Sequence, residues 1–107
     1  LFSSVQATWN LLERSAEPVL ERAHEAGWRV IVKEALANGR LGDPVLALSA
    51  ALGRPWASVV LTCASTVAQL ETSASALDAT FDEELLELTR AQDPREYWET
   101  RARLPWN

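Results

Sequence analysis

The chain has 107 residues, 48% of them hydrophobic and 23% charged, which suits one modest globular segment and argues against disorder. Ten Lys and Arg stand against 15 Asp and Glu, a net charge of −5, so nucleic acid and anionic membranes are poor partners. The single cysteine, Cys63, excludes an internal disulfide and fits a reducing cytoplasm, and no apolar run approaches the roughly 20 residues that span a bilayer.

Ser4-Val5-Gln6-Ala7-Thr8 alternates and is β-prone, so it reads as a first strand, left through a loop at Trp9-Asn10-Leu11-Leu12. Ser15 can cap a helix from about Ala16 to Ala26, with Pro18 in the first turn and Val19, Leu20, Ala23 and Ala26 as an apolar stripe. Gly27 is its natural stop. Trp28 to Lys33 is a second strand around the buried run Val30-Ile31-Val32, followed by a loop from Glu34 to Gly42. Asp43-Pro44 is an N-cap with proline at the first helical position, opening a helix that stops at Gly53. Ala57 to Thr62 is a third strand. A helix follows from Thr66 to near Ala76, with Val67, Leu70, Ala74 and Leu77 as its apolar face. Asp82 caps another helix through Arg90, and Asp93-Pro94 opens a last one carrying Tyr97 and Trp98 ahead of the tail Leu104-Pro105-Trp106-Asn107.

The stretch from Val59 to Leu70 organises this series. Val59, Val60 and Leu61 read as a parallel strand covered on both faces. Ser65 or Thr66 can cap the helix behind it, and Gln69 stands three residues after Thr66, the spacing of a capping box. A strand that runs into a helix N-terminus presents backbone N–H groups and the positive end of a dipole, which suits a phosphate, although most such turns bind nothing. Strands alternating with helices imply right-handed crossovers and a parallel sheet. Three parallel strands do not bury both faces unaided, and a closed eight-strand barrel takes about 250 residues. The expected fold is therefore α/β: the C-terminal portion of a TIM (β/α)8 barrel, its last three strand–helix units plus terminal helices, with residues 1–107 forming one segment. The sequence contains no methionine and opens on Leu1-Phe2, so a piece cut from a longer chain is expected.

Four stretches, in order, carry a resemblance. Val5 to Leu12, Val30 to Leu41, Val59 to Leu77, and the ending Tyr97-Trp98 to Leu104-Pro105-Trp106 resemble the sixth, seventh and eighth strand regions and the tail of aldo-keto reductases. The resemblance implies a barrel that transfers hydride between a nicotinamide cofactor, NADP or NAD, and a small carbonyl or alcohol. By match, Gln6 would bond the nicotinamide carboxamide, or else be a satisfied polar residue inside the barrel. Leu36, Asn38 and Arg40 would contact the pyrophosphate, and Ala64, Ser65, Thr66, Gln69 and Ser73 the adenosine phosphate. Trp9, after a strand's C-terminal end, would line a substrate pocket.

The chain departs from the family's pattern at several points. Lys33 stands where an aromatic often stacks on nicotinamide, Cys63 where Gly is common, Gln69 where an Arg commonly reads the 2′-phosphate, and Thr72 and Ser73 where a Glu-Asn pair holds adenine. Thr62 to Leu77 contains no Lys or Arg, so a 2′-phosphate would lack its charged partner. The family's catalytic Asp, Tyr, Lys and His would lie upstream of Leu1. His24 reads as a surface residue, Tyr97 does not match the catalytic Tyr, and Cys63 reads as a buried inert thiol. Trp28, Trp56 and Trp106 read as packing, and metal ligands are absent from the pattern. Two functions remain. One is a cytoplasmic oxidoreductase segment that contributes cofactor-binding elements without acid–base residues. The other is a non-catalytic remnant that self-associates through open sheet edges.

Overall fold

A computed structural model describes residues 3–105 of the chain. The element order is β1 (Ser4–Thr8), α1 (Glu17–Glu25), β2 (Arg29–Lys33), a 3₁₀ turn (Ala37–Gly39), α2 (Pro44–Leu52), β3 (Val59–Val60), α3 (Val67–Ser75), a second 3₁₀ turn (Ala76–Asp78), α4 (Glu84–Leu88) and α5 (Pro94–Ala102). The sheet is parallel, in the order β1-β2-β3, with Gln6 opposite Ile31 and Ile31 opposite Val59. The alternation of strands with helices thus produces the expected α/β unit, and Val30–Val32 lies beside Val59–Val60.

The two faces of this sheet differ. The rows Val5–Val30 and Ala7–Val32–Val60 turn toward the helices. There Val30 and Val32 join Leu20, Leu48, Ala50, Ala51, Trp56 and Phe81 in the core. The intervening row, Gln6–Ile31–Val59, belongs to the opposite face. On that side Val59 is 44% and Leu61 40% exposed. The expectation that Val59, Val60 and Leu61 are covered on both faces is therefore corrected: helices pack on one side only among the described residues. The third strand is also shorter than Ala57–Thr62, two residues long.

Local signals explain most element boundaries. Asp43 caps α2 by accepting from Leu46 N, and Thr66 caps α3 by accepting from Gln69 N. Asp93 accepts from Arg95 N and Glu96 N at the start of α5. Gly27 leaves α1 with φ +86°, the left-handed geometry that ends helices. Ser15 is not the cap of α1. The helix starts after Ala16 with no side-chain cap, and the Ser15 amide donates to the buried Glu13 carboxylate at 2.9 Å. Of the stripe expected on α1, Leu20 and Ala23 pack inward, while Val19 and Ala26 are exposed. Trp56 packs edge-on against Trp9, as a packing residue should, but Trp28 is exposed, and Trp106 lies outside the described residues.

The last two helices tie themselves to the loops that leave β1 and β2. Arg14 donates to the Leu86 and Thr89 carbonyls at 2.9 and 2.7 Å, satisfying the C-terminal end of α4. Gln92 N donates to Leu12 O, and Trp98 Nε1 donates to Glu13 Oε2 at 2.6 Å. Asn10 Nδ2 donates to both the Glu34 carbonyl and Tyr97 Oη.

Candidate functional site

The loop after β2 and the chain entering α3 face each other across a cleft of about 420 Å³. That volume lies within the ~300–1,000 Å³ common for small-molecule sites. One wall is Leu36, Gly39, Leu41 and Pro44; the other is Thr62, Cys63, Ala64, Ala68, Gln69, Thr72 and Ser73.

The first wall has an unusual backbone. Glu34, Ala37 and Asn38 take φ of 56°, 52° and 57°, and Gly39 takes 82°. Only glycine adopts this region without steric cost, so three non-glycine positive values within five residues mark a loop held by its surroundings. Hydrogen bonds from Ala37 N to Glu34 O and from Gly39 N to Leu36 O close its turns. Gly39 itself has nothing within 4 Å of where a Cβ would stand, so the cleft is open beside it.

The second wall is a helix entry. Thr66 Oγ1 accepts from Gln69 N at 3.1 Å, and Gln69 Oε1 accepts from Ser65 N at 2.8 Å and Ser65 Oγ at 3.0 Å. The capping box expected from the Thr66–Gln69 spacing thus closes one residue earlier than usual, onto Ser65. Thr62 Oγ1 and Ser73 Oγ lie 3.0 Å apart and link the strand's end to the helix. The remaining first-turn amides of a helix have no partner within it, and the dipole favours an anion beside them.

Among the described residues, no charged side chain lines the cleft. Its polar groups are the hydroxyls of Thr62, Thr72 and Ser73, the Gln69 carboxamide and the Cys63 thiol. Such a donor set fits ribose hydroxyls and a phosphate shared with backbone amides, but supplies no cation for a further phosphate.

Of the residues singled out in the sequence, Leu36, Ala64, Gln69 and Ser73 come together in this cleft. Ser65 and Thr66 stand at its helix entry, and Asn38 is exposed beside Gly39. Two others are placed differently. Arg40 does not line the cleft: its guanidinium lies 4.2 Å above the Tyr97 ring and its Nε donates to Ala37 O. Trp9 is wholly buried against Trp56 and lines no open pocket, because its side chain turns to the helix side of the sheet. Gln6 is exposed on the open sheet face, outside the cleft. Cys63 is corrected from a buried thiol to an exposed one on the cleft wall. Lining residues not foreseen include Gly39, Pro44 and Ala68. Ala68 and Thr72 are four apart, a helical neighbour of the Gln69–Ser73 pair, so the same spacing would have found them. His24 is exposed on α1, and no group of metal-ligating side chains occurs among the described residues.

No protein-family model matches the sequence, and no curated protein matches it either. Among solved structures the chain is similar to an aldo-keto reductase from Bacillus halodurans in its holo form, with a TM-score of 0.71 and 19% identity. The match covers 88% of this chain and 45% of that chain, so the chain spans less than half the length of the reductase. A likeness at this identity speaks for the fold. No helix among the described residues is long and apolar enough to cross a membrane.

Proposed function

We propose that this chain is the C-terminal, cofactor-binding portion of an aldo-keto-reductase-like oxidoreductase barrel. The cleft takes the adenosine-phosphate half of a nicotinamide dinucleotide. The observation that carries the reading is the convergence of Leu36, Ala64, Gln69 and Ser73, chosen from two separate stretches of sequence, on one cleft in a fold shared with such a reductase. Ser65 and Thr66 would present the helix entry to phosphate, Ser73 and Gln69 would bond ribose, and Asn38 would stand at the rim. Gln6, on the open sheet face, would meet the nicotinamide carboxamide. When bound, the cofactor supplies the hydride; the residues that move a proton to or from a carbonyl oxygen belong to other strands of the barrel.

The uncharged lining favours NAD over NADP, because a 2′-phosphate would be desolvated without a cation to pair with. Calorimetric titration of the chain with NADH and NADPH tests both points. Binding of NADH with weaker binding of NADPH supports the reading. Gln69→Arg should then raise NADPH affinity about tenfold, the effect of one charge-assisted hydrogen bond. Absence of heat with either nucleotide contradicts it.

A second reading is favoured by the open face. β1 and β3 each pair only with β2 among the described residues, and Val59 and Leu61 stand exposed on and beside the β3 edge. Unpaired strands beside apolar surface promote association, so a non-catalytic module that pairs with a second copy is the alternative. Sedimentation of the chain as a folded monomer rejects it.

A further inference from the structure

We infer that α5 is a positioning element for the cleft: Tyr97 and Arg101 hold the loop from Glu34 to Gly39, with its four positive-φ residues, in place, so docking of the C-terminal helix and the shape of the site are coupled.

The contacts converge on that loop from one direction. Arg101 grips the Glu34 carboxylate with two nitrogens, Nη2 at 2.6 Å and Nε at 3.0 Å. Such a fork fixes orientation as well as distance. The Glu34 carbonyl accepts from Asn10 Nδ2 at 2.9 Å, and the same Asn10 nitrogen donates to Tyr97 Oη at 3.0 Å. Arg40, at the loop's far end, spreads its guanidinium over the Tyr97 ring while its Nε reaches back to the Ala37 carbonyl at 3.1 Å. Both ends of the segment with positive φ are therefore held by one pair of side chains on α5, more than 50 residues away in sequence.

The backbone supplies the reason for the clamp. Glu34, Ala37 and Asn38 all sit in a conformation that an L-residue leaves when it is free to do so, and such strain persists only where surrounding contacts over-determine it. The loop carries Leu36 and Gly39 on the cleft wall. A loop that relaxes to negative φ moves that wall. The structural half of this inference stands on geometry alone; its consequence for binding rests on the reading of the cleft given above.

The test is amide hydrogen exchange on the full chain, comparing Arg101→Gln and Arg101→Lys with the unaltered protein. Arg101→Gln should speed exchange at residues 35–41 by about tenfold or more while Val30 and Val32 keep their protection, with Arg101→Lys in between because it lacks the fork. A second background separates clamping from general stabilisation. Ala37→Gly removes strain from the loop, so Arg101→Gln made in it should change exchange far less. Equal acceleration in both backgrounds, or loss of protection across β1 and β2 together, overturns the inference. In the same variants NADH affinity should fall in step with loop protection. If the loop loosens and NADH affinity does not move, the coupling to the site is overturned. If NADH binds none of the proteins, the nucleotide reading fails by itself and the exchange result still decides the clamp.

Discussion

Asn10 uses all the hydrogen-bonding capacity of its side chain. Its Nδ2 donates to Glu34 O and Tyr97 Oη, and its Oδ1 accepts from Leu12 N and Glu13 N, both at 2.9 Å. One buried amide therefore joins the exit of β1, the exit of β2 and α5. Asn10→Ala would strand several of these partners, and urea unfolding should show a loss of about 2–4 kcal/mol. Tyr97 gives a pH signature for the same network. Burial pushes its phenol up from the usual value, with the Glu34 carboxylate adding to the effect and the Asn10 hydrogen bond opposing it. The folded chain then keeps the phenol neutral where the unfolded chain ionises it. Its contribution is complete below about pH 10 and is lost as pH rises above that value toward the folded one. Tyr97 is the single tyrosine, so tyrosinate absorbance reports it directly. Thermal melts should show a stability decline in this range that Tyr97→Phe removes. Neither role was legible in the sequence, where Asn10 read as a loop residue. The placements of Arg40 and Trp9 are not legible either: each answers to a partner more than 40 residues distant, Tyr97 or Trp56, that no local spacing announces.

At the scale of elements, the two central helices differ in how firmly they are held. α2 buries Ala47, Leu48, Ser49, Ala50 and Ala51, whereas α3 has no buried residue. Leu70 and Leu77 of the expected apolar face do turn toward Leu48, Leu52 and Val60, but across a gap of about 250 Å³ that leaves them 55% and 73% exposed. Leu48→Ala should cost about 2.5–4 kcal/mol and Leu70→Ala under about 1.5, since the latter removes little packed surface. Denaturant midpoints of the two variants check this. The periodicity on α3 reads as a stripe, and of the two caps the sequence offers, Ser65 or Thr66, the helix uses Thr66, yet a stripe says only which side is apolar. Whether that side is covered depends on how closely α2 approaches. The same limit explains β3: Val59-Val60-Leu61 has the composition of a doubly covered strand, and composition carries no information about a missing layer.

For the whole molecule, that one-sided cover is the governing feature. A parallel sheet has both faces packed wherever it is stable, and here one face carries Val30 and Val32 in the core while the other shows Val59 and Leu61 to solvent. Val32→Ala should destabilise by about 2–3 kcal/mol and Val59→Ala by under about 1, a contrast that equal coverage of both faces would erase. The chain shares this fold with less than half of a reductase chain, and in the proposed barrel the open side would be the interior. The cleft lies at the end of β3 and on the loop after β2, where chain leaves the strands, the end at which barrel folds assemble their sites. The most direct test of this account is amide chemical-shift mapping of the chain titrated with NADH. Shifts at residues 36–41 and 62–73, with Gln6 as the one position affected on the open sheet face, saturating with concentration, are the expected result; shifts that spare the cleft residues, or none, would contradict it.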